Sequence, residues 1–307
     1  MTDKSLVSVV IPTYNRIEKL KRLLNSILKS DYRDFEIIVI DDASSDGTYA
    51  EVKKLYPMVR LFRNSKPLLV SHCRNIGLWK SLGYFVFFVD DDNVVDSTTV
   101  SSLVETLTSQ KDVAIVAPLM FYLNDPKRIW CAGVTRSLVT SKTTIRDQNI
   151  CGKSHFDIIE SEDFPNAFMV RKSIAKKLCG FDYKAFPIHY EEADFGARVR
   201  LNGYKIILNP QAKIWHDISV RTQNGGLLSS LHMTSAQRTF FVSRNRIIFM
   251  KKYAGALRFF LFCFLFYPAL STVYLGAILI SKHRGIDKIS FITAYLQGIC
   301  SGLTWKN

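Results

Sequence analysis

Asp90-Asp91-Asp92-Asn93 follows directly on the apolar run Tyr84-Phe85-Val86-Phe87-Phe88-Val89. Three adjacent carboxylates repel one another, and gathering them at the end of an apolar strand is unfavourable unless a cation compensates. Hard oxygen donors in this setting suit Mg²⁺ or Mn²⁺ shared with the phosphate oxygens of a substrate. The plainer alternative is a solvated acidic turn in which Asp96 caps a helix starting at Ser97. That accounts for Asp96 and leaves three aspartates at the strand exit unexplained.

Two further acidic turns have a comparable placement. Asp41-Asp42 ends the run Phe35-Glu36-Ile37-Ile38-Val39-Ile40 and opens the turn through Ser44-Ser45-Asp46-Gly47-Thr48. A strand-end aspartate such as Asp42 can accept hydrogen bonds from a ribose hydroxyl or a base N–H, whereas Ser44, Ser45 and Asp46 suit the cap of the next helix. His189-Tyr190-Glu191-Glu192-Ala193-Asp194 opens a helix, where the dipole favours acidic residues without any function. A general base for a sugar hydroxyl also needs one carboxylate beside an open cleft, and Phe186-Pro187-Ile188 could form an apolar wall to it. His216 follows the short strand Ala212–Trp215 and could close a metal site with the aspartates, while the other histidines read as structural. Arg74-Asn75 opens a helix and could face phosphates, or be an ordinary surface pair. The chain has no Ser-His-Asp elbow, no Gly-rich phosphate loop near its start and no C-x-x-C pair. Its six dispersed cysteines read as reduced thiols in a cytosolic setting.

The elements that must position these residues alternate. Leu6–Ile11 reads as a buried strand, too short for a secretory h-region. A helix over about 16–29, the strand from Phe35, a helix over about 45–56, the strand Val59–Phe62, a helix over about 71–82 and the strand Tyr84–Val89 follow. Near-continuous Val/Ile/Phe strands separated by helices predict a parallel α/β sheet covered on both faces, with ligands at the carboxyl ends of its strands. The alternation fades after Pro118 and through the polar stretch 135–163. It resumes with a helix from Lys172 ended by Gly180, a helix from Glu191 ended at Asn202-Gly203, and the strand Tyr204–Leu208. Residues 1–220 are expected to form one catalytic domain, and 221–307 a tail of basic amphipathic and hydrophobic helices.

The charge supports that division. Of the net +14, the last 87 residues carry +10, with 11 Lys+Arg against Asp287 alone. They also hold Phe259–Ile280, 22 residues without a charge. As a helix this run would reach ~33 Å, enough for a ~30 Å hydrocarbon core. Pro268 is a candidate kink, and Lys251, Lys252 and Arg258 on one side with Lys282, Arg284 and Lys288 on the other leave the orientation open. A second run, Ile289–Leu303, is short for a span. A membrane-inserted or re-entrant hairpin is expected, with an in-plane amphipathic pair or a buried soluble helix as alternatives. Basic residues flanking Phe/Leu runs point to an anionic membrane surface and no nucleic acid.

Taken together, Pro12-Thr13-Tyr14-Asn15-Arg16, the Ile38–Thr48 turn, Arg74-Asn75, the Asp90–Asn93 turn, and Gly180-Phe181-Asp182 through Glu191-Glu192-Ala193-Asp194-Phe195 resemble the ordered motifs of family 2 inverting glycosyltransferases of the GT-A fold, over about residues 5–217. The resemblance implies a GT-A sheet and a nucleoside-diphosphate sugar as donor. It implies that Pro12, Tyr14 and Asp42 hold base and ribose, that Arg74 lies near the diphosphate, and that Asp91 lies near the ribose or donor sugar. It further implies that Asp92, in a D-x-D-like motif with Asp90, coordinates the Mg²⁺ or Mn²⁺, and that His216 completes that site. Glu192 stands where the family's usual catalytic Asp does; it keeps a carboxylate but adds a methylene, so Glu191 stays as second candidate base. Similar tails occur in members acting on lipid-linked acceptors, which implies a hexosyl- or deoxyhexosyltransferase on the membrane, its catalytic domain in the cytoplasm and its acceptor a glycan, preferably polyprenyl-linked. The expected reaction is a single inverting displacement in which Glu192 deprotonates the acceptor hydroxyl. A sugar-nucleotide pyrophosphorylase and a membrane-anchored nucleotide-binding or scaffold protein are the alternatives. The residues specify neither the sugar nor an oligomeric state.

Overall fold

The computed structural model describes residues 6–147, 159–218, 228, 231–281 and 285–306. Cys151, Lys282, Arg284 and part of the polar stretch 135–163 lie outside them. The described cysteines, Cys73, Cys131, Cys179, Cys263 and Cys300, are free thiols. The chain falls into two compact units. One comprises the chain to Thr135, Ile145–Tyr183 and Glu191–Ile218; the other comprises Arg136–Thr144, Lys184–Tyr190 and the chain from Ser219. Two short segments of the first 220 residues thus belong with the tail.

The first unit alternates strand and helix through β1 (Val7–Thr13), α1 (Ile17–Ile27), β2 (Phe35–Asp41), α2 (Thr48–Leu55), β3 (Arg60–Arg63), α3 (Val70–Lys80) and β4 (Phe85–Val89). β5 (Asn93–Val95), α4 (Thr99–Ser109), β6 (Val113–Tyr122), β7 (Asp125–Cys131) and β10 (Ile159–Glu160) follow, with β8 (Val134–Arg136) and β9 (Thr143–Ile145) at the ends of the segment Arg136–Thr144 that belongs to the second unit. The unit closes with β11 (Ala167–Arg171), α5 (Lys172–Lys177), α6 (Glu191–Leu201) and β12 (Lys205–His216). Among the described residues ten strands form one sheet in the order β10-β12-β6-β11-β4-β1-β2-β3, with β5 on β12 and β7 on β6.

The parallel expectation holds for β3-β2-β1-β4 and for β6-β12. Between these blocks β11 runs antiparallel to both β4 and β6, so the sheet is mixed. Pro118 lies inside β6 instead of ending the pattern, and the two strands expected within 204–215 are one, β12, with a register shift between Asn209 and Lys213.

Strand alternation divides the core into two layers. Val9, Ile11, Phe87 and Val89 pack with Leu20, Leu24, Val100 and Leu103 of α1 and α4. Val10, Ile38, Val86 and Phe88 pack with Leu78, Ala175, Phe195 and Val199 of α3, α5 and α6. Because both faces are covered, the strands carry no polar side, which is why they read as unbroken apolar runs. Gly77 lets α3 approach β1: a Cβ there would lie 2.1 Å from Val10 Cγ1. The register pairs Thr13 with Asp41, so β1 and β2 end together, and β4 ends beside them. All three acidic or polar exits therefore share one edge.

The second unit holds α7 (Ala236–Tyr253), α8 (Ala256–Leu261), a π-helical turn (Phe262–Phe266), α9 (Tyr267–Ile280) and α10 (Gly285–Thr304). Ser235 caps α7 by accepting the Arg238 N–H. Gly298 and Gly302, four residues apart on α10, let it approach α7: Cβ atoms there would come within 2.4 Å of Phe240 O and 2.8 Å of Arg244 O. Asn245 on α7 donates to the carbonyls of Ile188 (2.7 Å) and His189 (3.0 Å), bracing a turn in which His189 and Tyr190 both hold positive φ. Ala256–Ile280 is one 25-residue helical stretch, long and apolar enough to cross a membrane, and only 22% of its most apolar window is buried. The irregularity expected at Pro268 sits just before it, in the π-helical turn.

Candidate active site

β4 delivers the Asp90–Asp92 turn, and two asparagines fix it. Asn93 Nδ2 donates to Asp90 O (2.9 Å) and to Asn166 Oδ1 (2.7 Å), and the Asp90 N–H donates to Asn166 O (3.1 Å). Asn166 precedes β11 at φ 68°, a conformation Asn tolerates better than most residues. Its N–H is thereby free to donate to Glu192 Oε1 at 2.8 Å. Asn166 thus joins the acidic turn to the first turn of α6. Sequence reasoning named Asn93 only as the end of the acidic turn, with no role of its own, and missed Asn166 altogether, because a lone Asn just before a strand carries no pattern to mark it.

The three aspartates part company. Asp90 turns to Arg74, whose Nη2 donates to its Oδ1 at 2.8 Å. Asp91 is buried and accepts from Thr13 Oγ1 (2.7 Å) and Arg16 Nη1 (3.1 Å). Burial pushes its carboxyl up to about 6 despite Arg16, with Asp92 adding to the rise. Asp92 pairs with Arg16 through Oδ2 (3.0 Å), and its Oδ1 lies 3.3 Å from His216 Nε2. Burial works against its ionisation, but His216, Arg16 and Lys19 outweigh burial and hold the carboxyl below its ordinary range. Arg16 is thus the cation that bridges Asp91 and Asp92, a role its place in the Pro12–Arg16 motif did not reveal.

His216 reaches the turn because β12 pairs antiparallel with β5, placing His216 opposite Asn93. The Asp217 N–H donates to Asp92 O at 2.8 Å, and the Trp130 ring meets His216 edge-on with centroids 4.6 Å apart. Asp92 Oδ1 and His216 Nδ1 are buried with no hydrogen-bond partner. A carboxylate oxygen without a donor beside an imidazole fits a divalent cation, and imidazole in the donor set suits Mn²⁺ better than Mg²⁺. Among the described residues no group of three His, Cys, Asp or Glu side chains is disposed to hold a metal ion, so substrate oxygens would supply the rest. Asp90, expected in the metal motif, is engaged by Arg74 instead.

Glu191 and Glu192 open α6 with different surroundings. The Glu191 side chain is 8% exposed and that of Glu192 20%. Glu192 Oε1 takes both the Asn166 N–H and Arg74 Nη2 (2.9 Å); Glu191 Oε1 lies 3.3 Å from Arg74 Nη1. Burial pushes Glu192 up to about 8: Arg74 opposes the rise, and Glu191, Asp90 and Asp163 add to it. A carboxyl poised there is matched to proton abstraction near neutral pH.

The expected nucleotide side occupies the neighbouring strand ends. Pro12 is buried, while Tyr14 is 48% exposed. Asn15 ties this turn to the next one, accepting from Ser45 N (2.7 Å) and donating its own N–H to Ser44 Oγ (2.9 Å). Asp42 is committed internally: Oδ1 accepts from Asn64 Nδ2 and Leu68 N (2.8 Å each) and Oδ2 from Leu69 N (2.9 Å). It anchors the loop leading into α3, a role that neither ligand binding nor helix capping had anticipated. The N-cap of α2 is Gly47, and Asp46 just before it accepts the Thr48 N–H through Oδ1 at 3.0 Å, so it serves the first turn from outside the cap position.

The family model described as Glycosyl transferase family 2 matches residues 8–179, more than half of the chain. The chain belongs to glycosyl transferase family 2. Glu191, Glu192 and His216 of this family 2 chain lie beyond the matched span. It is 36% identical over 104 residues to the Staphylococcus aureus poly(ribitol-phosphate) beta-N-acetylglucosaminyltransferase TarS, an alignment covering 30% of this chain and 17% of TarS. It is 37% identical over 103 residues to the Campylobacter jejuni GalNAc(5)-diNAcBac-PP-undecaprenol beta-1,3-glucosyltransferase, covering 32% of this chain and 33% of that one. The chain therefore matches a third or less of the length of these curated relatives. Among solved structures, S. aureus TarS 1–349 in complex with UDP-GlcNAc superposes with a TM-score of 0.56 at 20% identity, covering 95% of this chain and 81% of that one. GalNAc-T7 with UDP, GalNAc and Mn²⁺ gives 0.61 at 17% identity, covering 83% and 53%. These likenesses establish the GT-A fold of the family 2 chain.

Proposed function

We propose that this chain transfers a sugar from a nucleoside-diphosphate sugar to an acceptor hydroxyl by a single displacement that inverts the anomeric centre. The observation that carries this reading is Glu192: a carboxylate raised by burial, held by the Asn166 N–H and Arg74, and joined through Asn166 to the acidic turn that carries Asp92 and His216. Glu192 takes the proton from the acceptor hydroxyl as that oxygen attacks, and Glu191, more deeply buried, sets its electrostatics. Asp92 and His216 would hold a divalent cation, Mn²⁺ ahead of Mg²⁺, whose charge offsets that developing on the departing diphosphate. Tyr14, with Pro12 behind it, offers an exposed ring to the base. Asp91 is poised to change protonation near the sugar or ribose. Family membership sets aside the pyrophosphorylase alternative.

The donor belongs to the class bound by TarS and GalNAc-T7, whose structures hold UDP-GlcNAc and UDP. For the acceptor we favour a lipid-linked glycan, supported by the undecaprenol-linked substrate in the name of the Campylobacter relative and by the exposed apolar stretch Ala256–Ile280. The catalytic unit would then work at the cytoplasmic face of a membrane.

Incubating detergent-purified protein with a panel of UDP-, GDP- and dTDP-sugars, Mn²⁺ or Mg²⁺ and a membrane lipid extract tests the reaction. Release of one free nucleotide that requires both metal and lipid extract is the expected result. Turnover of no donor, together with no metal-dependent nucleotide binding, would return the chain to the scaffold alternative.

The membrane assignment has its own check. Phe260 and Phe264, 56% and 67% exposed, lie together with ring centroids 4.5 Å apart and planes tilted by 38°. Each aromatic is worth about 1.5–3 kcal/mol when taken from water into lipid. The protein is expected to float with vesicles containing anionic lipid, and F260D/F264D to weaken that binding by roughly tenfold or more. Equal flotation of the two proteins would argue for a soluble helix.

A further inference from the structure

We infer that Arg74 is a positioning residue for the Glu192 carboxylate and makes no contact with the donor diphosphate; this rests on the transferase reading above. The sequence motif suggested the opposite role, because arginine at the start of a helix suits phosphate. Three observations carry the inference.

The first is access. The Arg74 side chain is 1% exposed, so no phosphate can reach it without displacing protein. The second is that both terminal nitrogens are already engaged by carboxylates, leaving only Nε, which is itself buried, without a hydrogen-bond partner. Nη2 pairs with Asp90 Oδ1 (2.8 Å) and Glu192 Oε1 (2.9 Å), and Nη1 with Glu191 Oε1 (3.3 Å), so one planar fork links the exit of β4 to the start of α6. The third is the support beneath it. The guanidinium carbon lies 5.6 Å from the Phe181 ring centroid and 5.9 Å from that of Phe168. Asn75 fixes Phe181 by donating Nδ2 to its carbonyl and accepting its N–H, both at 2.8 Å. Glycine is required just before, because a Cβ at Gly180 would lie 2.3 Å from Asn75 Oδ1 and its φ is +66°. Arg74-Asn75 and Gly180-Phe181, two of the motifs singled out in the sequence, thus form one buried assembly.

Arginine is specified here by geometry as well as charge. A fork with two terminal nitrogens can hold two carboxylates of α6 and one of β4 at once, whereas an ammonium is a point charge on a flexible stem. With three acids around one cation, the carboxylates repel unless each is pinned. Loss of the fork would let Glu192 swing away from the acceptor oxygen, and a displacement of about 1 Å in a catalytic group costs on the order of 10²-fold in rate.

The test compares Arg74→Lys with wild type, measuring kcat, donor KM and the Kd for UDP with Mn²⁺ by calorimetry. Positioning predicts a kcat lower by about 10²-fold with KM and the UDP Kd within about twofold. A diphosphate contact predicts the reverse, since lysine keeps the charge but loses the bidentate fork on the phosphate: kcat nearly retained and the UDP Kd weakened. Phe181→Leu, which keeps apolar volume and Arg74 itself, serves if the lysine variant does not fold; kcat is expected to fall by roughly three- to tenfold with UDP binding unchanged. Weaker UDP binding with kcat retained in either variant, or wild-type kinetics in both, overturns the inference. A wild-type protein that binds UDP and Mn²⁺ but turns over no donor overturns the transferase reading instead.

Discussion

Replacing Glu192 by Gln is expected to lower kcat by about 10²–10⁴-fold while raising the melting temperature of the same protein. The loss follows from removing the base. The gain in stability follows from the environment that makes it a good base: burial pushes Glu192 up to about 8, against an ordinary glutamate value of 4.5. A carboxyl whose folded-state value is raised binds its proton more tightly when folded, so wild-type stability falls as pH rises from about 4.5 through about 8. Glutamine mimics the protonated form and still accepts the Asn166 N–H, so it escapes that loss. The two proteins should melt together near pH 4 and diverge by a few degrees at pH 8.5. In wild type, kcat/KM should climb with pH toward about 8 as the Glu191–Glu192 pair gives up its proton. Melting curves and rate profiles of both proteins between pH 4 and 9 check all of this. A glutamine variant that keeps wild-type turnover would remove Glu192 as the base and leave Glu191 to be tried.

Asp92→Ala carries the second large effect, a loss of divalent-stimulated turnover of about 10²–10³-fold, which corresponds to the several kcal/mol a metal contributes at a developing phosphate charge. Asp92 is the only acid of its turn that meets His216, and its Oδ1 is left without a hydrogen bond beside that imidazole. Removing it takes away the carboxylate of the donor pair and leaves Arg16 to Asp91 alone. Mn²⁺ titration in the presence of UDP, read by electron paramagnetic resonance, gives a signal independent of catalysis. Affinity should fall at least tenfold in Asp92→Ala and in His216→Ala, whereas Asp90→Asn should bind Mn²⁺ like wild type because Asp90 faces Arg74. If Asp90→Asn lost the metal and Asp92→Ala kept it, the assignment of donors would be inverted.

Much of the first unit was legible in the sequence for a simple reason. Strands buried on both faces must be apolar throughout, so β1, β2 and β4 were visible as Val/Ile/Phe runs, and the helices between them followed from spacing. The antiparallel β11 was not legible, because Ala167–Arg171 is as apolar as the parallel strands of the sheet and strand direction leaves no mark on composition. β6 was not read as a strand: the alternation was taken to fade after Pro118, which lies inside it. The boundary of the units also escaped, since 136–144 and 184–190 join the second unit by packing and not by composition.

What the sequence by itself determined was the inventory of the site: acids at strand exits, a carboxylate pair opening a helix, and a histidine after a strand, each set by local pattern. What only the tertiary structure decided was who meets whom. His216 lies 3.3 Å from Asp92 across 124 positions of chain because β5 pairs with β12. Arg74 faces three carboxylates because α3 and α6 pack on the same face of the sheet. Asp42, which had the profile of a ligand contact, spends its oxygens on Asn64, Leu68 and Leu69. Residue type fixes which charges and donors a chain possesses, but a hydrogen bond reaches only about 3 Å, and which groups come that close is set by strand pairing and helix packing between segments far apart in sequence.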